Sequence, residues 1–131
     1  MLQRIIILSF LMLPAFTAIS QIIDCSKFRE GKFRIVDTRA GVVTIAERKG
    51  MYQTESSEAL KAVVRFKISW QDNCTYTLRL DKVIRNENKI DFPSNMEVHV
   101  KIIETSTNSY IQETSSSLTN GTYKIEVVKI N

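Results

Sequence analysis

Residues 60–80 read LKAVVRFKISWQDNCTYTLRL, and the fold turns on them. In an extended chain, Ala62, Val64, Phe66, Ile68 and Trp70 share one face. Lys61, Arg65, Lys67 and Ser69 share the other, with Val63 the exception. Period two with one apolar face is the signature of a half-buried strand. A helix starting at Glu55-Ser56-Ser57-Glu58 competes, because Glu58 to Ala62 has helical propensity, but the β-branched and aromatic run that follows argues against extending it. Gln71-Asp72-Asn73 reads as a three-residue loop, with Asn in the left-handed position of a bulged hairpin. The chain returns with Cys74, Tyr76, Leu78 and Leu80 on one face and Thr75, Thr77, Arg79 and Asp81 on the other. The two strands therefore share a greasy face.

The same alternation extends in both directions. Upstream, Phe33 and Ile35 alternate with Lys32 and Arg34, and Val42 to Arg48 is β-branched. Asp37 to Gly41 and Lys49-Gly50 are turns, and Met51 to Ser56 is a polar strand expected at an edge or rim. Downstream, Met96, Val98, Val100 and Ile102 alternate with Glu97, His99 and Lys101. Asn86 to Lys89 and Pro93 to Asn95 break the chain before that strand. Tyr110 to Thr114 leads to Asn120-Gly121, a pair suited to a type I′ hairpin, and Tyr123, Ile125 and Val127 line one face of the last strand. The expected class is all-β, an antiparallel up-and-down meander of about eight strands. Such a meander hides its edges by closing into a small barrel or half-barrel. An open two-layer β-sandwich is the alternative.

The N-terminus reads as an export signal. Met1 to Arg4 is basic, Ile5 to Phe16 is apolar, and Ala18-Ile19-Ser20 places small residues before a cut at Gln21. A membrane anchor is the competing reading of this stretch, and lipidation of Cys25 another. Pro14, Thr17, Ser20 and Gln21 interrupt the first, and Asp24 departs from the small residue that precedes a lipidated cysteine. The expected organisation is a signal peptide at 1–20 and a single β domain at 21–131, with no stable membrane span after cleavage and an address in the periplasm, outer envelope or extracellular space. The full chain has 131 residues and a net charge of +4, and loss of Arg4 with the leader leaves +3. That charge is scattered, which argues against a nucleic-acid partner. Two cysteines in an oxidising compartment, Cys25 and Cys74, are expected to form a disulfide.

No catalytic motif emerges. The single histidine, His99, sits on the charged face of its strand, where a solvated side chain is the simpler reading than a base or metal ligand. Two cysteines and one histidine do not make a zinc site, so no metal or cofactor is expected. No G-x-S-x-G, Ser-x-x-Lys or phosphate-binding glycine loop occurs. Asp72, Asp81, Asp91, Glu97 and Glu104 could pair across strands but read as surface charge. Lys61, Arg65, Lys67 and Arg79 form a basic stripe that would suit an anionic surface, or simply solvate a strand. Asn73-Cys74-Thr75 and Asn120-Gly121-Thr122 match glycosylation sequons. Phe33, Phe66, Trp70 and Tyr76 are the residues that could line a ligand cavity, against the simpler reading that they are core.

Cys25, the Gly31-x-Phe33 strand and the block from Ile68-x-Trp70 through Asn73-Cys74-Thr75-Tyr76-Thr77-Leu78 resemble small secreted, uncharacterised proteins of Bacteroidota with a lipocalin-like look. Gly31-x-Phe33 is similar to the Gly-x-Trp start of lipocalins, with Phe in place of Trp. The resemblance implies a calycin-like barrel or half-barrel and brings no catalytic residues. The expected function is non-enzymatic binding of a small apolar ligand. The alternative is a structural or interaction protein of the cell envelope with a filled core, partnering an envelope protein.

Overall fold

A computed structural model of the chain describes residues 13–17 and 23–131. The expected cleavage site, Ala18 to Gln21, lies outside the described residues. The alternating apolar positions become eight strands: β1 (Gly31–Asp37), β2 (Val42–Lys49), β3 (Tyr52–Ser57), β4 (Ala62–Trp70), β5 (Thr75–Asn86), β6 (Glu97–Thr105), β7 (Ser109–Ser116) and β8 (Tyr123–Lys129). Each pairs antiparallel with the next, and β8 returns to β1, so the sheet closes into a barrel in up-and-down order. The sandwich alternative is thereby excluded. No described helix is long and apolar enough to cross a membrane.

Register follows the hydrophobic pattern. The central hairpin pairs Trp70 with Tyr76, Ile68 with Leu78 and Phe66 with Leu80, which puts the apolar set of both strands on the inner face. Slipping by one residue would turn that set to solvent. Register shifts in β4–β5, between Val63 and Val64 and between Arg65 and Phe66, let the long β5 bend around the barrel. The seam between β8 and β1 is short, with pairs only at Phe33–Lys129, Arg34–Val128 and Ile35–Val127.

One end of the barrel is sealed by the segment before β1. Ser26–Phe28 forms a single 3-10 turn, and Phe28 is fully buried against Phe33 and Tyr110, with ring centroids 6.5 and 4.9 Å apart. Burying one such ring contributes about 1.5–3 kcal/mol. Cys25 is bonded to Cys74, with Cα atoms 5.3 Å apart, so the plug is tied to the β4–β5 loop and the Cys25 thiol is taken up. The bridge fits a non-reducing compartment. Lys27 Nζ donates to the carbonyls of Ser106 and Thr107 in the β6–β7 loop, both at 2.8 Å. At the opposite end, the β5–β6 connection brings Phe92 and Met96 over the opening. Asn88 Nδ2 pins that connection to the Leu60 carbonyl at 3.1 Å.

Three local expectations are corrected. The polar strand lies at no edge, because closure gives it two neighbours, and its alternate residues Gln53, Glu55 and Ser57 point inward. The turn at residues 71–74 has no left-handed Asn. Instead the Asp72 carboxylate accepts from the Cys74 N–H at 2.8 Å, and that bond holds its carboxyl below the usual range. The β7–β8 turn is not type I′, since it spans residues 117–122 and only Gly121 has a positive φ there, at +86°.

Candidate ligand cavity

The alternation that builds the strands also decides what faces the barrel axis. Between the plug and the open end lies a cavity of about 220 Å³. Its lining divides by strand. Consecutive strands β4 to β6 supply Phe66, Leu78, Val98 and Val100, with Met96 just before β6, and these make an apolar wall. The arc through β7, β8, β1, β2 and β3 supplies Gln112, Thr114, Tyr123, Asp37, Thr44, Gln53 and Glu55. Ile35 and Ile125 interrupt the polar arc, and Tyr76 brings a hydroxyl to the apolar one. An adjoining lobe of about 110 Å³ opens under Leu60 and Phe92 and shares Thr44, Glu55, Phe66 and Met96 with the first. Glu55 thus stands where the two lobes meet.

The floor is organised around Arg48, which is 2% exposed. Its Nε donates to Gln53 Oε1 at 2.6 Å and its Nη1 to the Phe28 carbonyl at 2.8 Å. Nη2 donates to the hydroxyls of Tyr76 and Tyr110 at 2.6 and 2.5 Å. The guanidinium also lies 4.3 Å from the Phe33 ring centroid. Burial by itself would lower the guanidinium's pKa, but Tyr76, Tyr110 and Glu55 hold it above its ordinary value, so it stays charged. Burial drives the Tyr76 phenol far up, so that hydroxyl stays protonated. It in turn donates to Gln112 Oε1 at 3.4 Å, and Gln112 Nε2 donates to Thr114 Oγ1 at 2.8 Å.

Glu55 is held differently. Its carboxyl is half-buried and opens onto the cavity, and it accepts one hydrogen bond, from Gln53 Nε2 at 3.3 Å. Burial pushes this carboxyl up, opposed by the Gln53 bond and the positive charge of Arg48.

Of the four aromatics expected to line a cavity, Phe66 and Tyr76 do so. Phe33 lies beneath Arg48 in the floor. Trp70 sits at the closed end, its ring 4.6 Å from that of Tyr76 and 4.5 Å from the Arg29 guanidinium. Arg48, Gln53, Glu55 and Gln112 escaped the sequence reading. The available signal was parity, since Gln53 and Glu55 alternate as strictly as any apolar pair. His99 is on the outer face, with Nδ1 3.2 Å from Thr77 Oγ1 and Nε2 3.2 Å from Glu97 Oε1. In the basic stripe, Arg65 pairs with Asp81 at 2.7 Å and Arg79 with Glu97 at 3.2 Å. Among the described residues, no three His, Cys, Asp or Glu side chains converge as a metal site would require.

Against known families, curated proteins and solved structures, the chain matches none.

Proposed function

We propose that this is an exported, calycin-like binding protein that holds one small amphipathic molecule inside the barrel and does no chemistry on it. The observation that carries the reading is the two-sided lining. An apolar wall from β4 to β6 faces a polar arc across a cavity of about 220 Å³. Eight strands enclose just enough space for side chains or one small guest. Sites for small molecules combine a mostly apolar lining with a few placed polar groups. An ordinary core would put aliphatic side chains where Gln53, Glu55, Gln112 and Thr114 stand. The guest is therefore a molecule with one greasy side and one hydrogen-bonding edge, rather than a purely apolar one.

A second reading, a filled-core envelope protein, has its own support. Pockets for drug-sized ligands run about 300–1,000 Å³. This cavity is smaller, and the floor beneath it is packed solid by Phe28, Phe33 and Tyr110. The two separate on a titration with an environment-sensitive apolar dye, run on the native protein and on Val98→Phe, which places a ring in the cavity. Binding by the native protein that Val98→Phe abolishes while still folding supports the cavity. Dye ignored by the native protein, or bound equally by both, favours the filled core.

A further inference from the structure

Of the charged groups around the cavity, Glu55 is the one that the fold leaves underused. Arg48 spends four N–H donors on Gln53, Phe28, Tyr76 and Tyr110. Gln112 is engaged through both ends of its amide. Asp37, at the mouth, is held by Arg39 through both carboxylate oxygens, at 3.1 and 2.9 Å. Tyr123 is covered by the same guanidinium, 3.4 Å from its ring centroid. Glu55 has one long bond on Oε1, and Oε2 has no partner among the described residues. An ionised carboxylate offers about four acceptor positions. These open at the junction of the two lobes, beside Phe66 and Met96.

Resting on the cavity reading, we infer that the guest carries a protonated amine, and that the Glu55 carboxylate receives it while the apolar wall of Phe66, Leu78 and Val100 holds its hydrocarbon part. A charge-assisted hydrogen bond in a site shielded from water is about twice as strong as a neutral one. The amine would supply the counter-charge that Arg48, turned down into the floor, gives only in part. An anionic guest is disfavoured by the same geometry: it would meet Glu55 with like charge, and the nearest cation, Arg48, has four of its five N–H donors already engaged in the floor.

The charged and titratable groups facing Glu55 are Arg48 from β2, Tyr76 from β5, Asp37 from β1 and Tyr123 from β8, with Tyr110 of β7 behind Arg48. Burial raises the Glu55 carboxyl, whereas the bond from Arg39 holds the Asp37 carboxyl below its ordinary value. Amine binding should therefore strengthen as pH rises and Glu55 gives up its proton. A neutral guest that accepts a hydrogen bond from protonated Glu55 would show the opposite slope.

The test uses three probes of similar size, phenethylamine, 2-phenylethanol and 3-phenylpropanoate, displacing the apolar dye from the full chain between pH 5 and 7. Phenethylamine is expected to bind about tenfold or more tighter than 2-phenylethanol at pH 7, with the margin shrinking towards pH 5. Phenylpropanoate should be the weakest. Glu55→Gln should keep the dye and lose the preference. If the dye binds but the alcohol or the acid matches the amine in native protein at pH 7, the inference falls and the cavity stands. If neither dye nor probe binds, the cavity reading fails and takes the inference with it.

Discussion

Arg48 and Glu55 lie on adjacent strands inside the barrel, and they are satisfied very unequally. Arg48 shows what the floor requires. Replacing it with Met would leave the Tyr76 and Tyr110 hydroxyls, Gln53 Oε1 and the Phe28 carbonyl without their donor. Arg48→Met is expected to cost about 3 kcal/mol or more, read as a lower urea midpoint at unchanged slope. Glu55 shows a residue kept at the expense of stability. Burial raises its carboxyl in the folded state, so the folded protein holds a proton that the unfolded chain has released. The group's contribution is then fully present below the ordinary carboxylate value, about 4.3, and is lost as pH rises from there through the raised folded value. Glu55→Gln removes that loss. Its melting temperature should match the native protein's near pH 4 and exceed it by a few degrees at pH 7. Parallel melting curves across that range would contradict a buried, perturbed Glu55. Neither residue stood out in the sequence, because a charged side chain in a strand is normally solvated. Only closure turns the face that carries Arg48 and the face that carries Glu55 towards the same interior.

At the scale of elements, the strands were legible and several turns were not. Strands in a half-buried sheet must alternate, and β4, β5, β6 and β8 do so plainly enough to fix which face is inside. Turns depend on which φ values the chain adopts, and residue preference was a poor guide here. Asn73 and Asn120 look suited to left-handed backbone, yet among the described residues the non-glycine ones that adopt it are Lys61 and Lys89, at φ of +49° and +52°. The glycines differ from one another for the same reason. Gly31 has φ +128°, and a Cβ there would fall 2.6 Å from the Asn131 carbonyl oxygen and 2.9 Å from Lys129 Cε. Gly121 has φ +86° with nothing within 4 Å. Gly121→Ala should therefore cost only backbone strain, about 1 kcal/mol, and Gly31→Ala about 2 kcal/mol or more, because the chain end must also move. Equal losses in chemical denaturation would show that the approach of β1 to the C-terminus is not tight. The plug depends on its bridge in the same way. Replacing Cys25 and Cys74 together with Ser opens a loop with a sequence separation of 49, for which chain entropy gives about 4 kcal/mol. The double variant should keep its strand signature by circular dichroism and unfold at markedly lower urea.

Across the whole molecule, architecture and interior were legible to different degrees. A run of short alternating strands joined by short turns leaves an up-and-down barrel as the natural way to hide edges, and that is what forms. Whether such a barrel is empty depends on side-chain volumes summed around the axis, a three-dimensional quantity that no single strand reveals. Phe33 went to the floor and Trp70 to the closed end, and polar residues of β3 and β7 share the cavity with Phe66 and Tyr76. The proposed function stands or falls on whether this interior holds a guest. Native mass spectrometry of the protein purified from its own host tests it most directly. A single small-molecule adduct in one-to-one ratio is expected, displaced by phenethylamine and lost in Val98→Phe. A spectrum with only the mass of the bare chain, unchanged after incubation with phenethylamine, would contradict it.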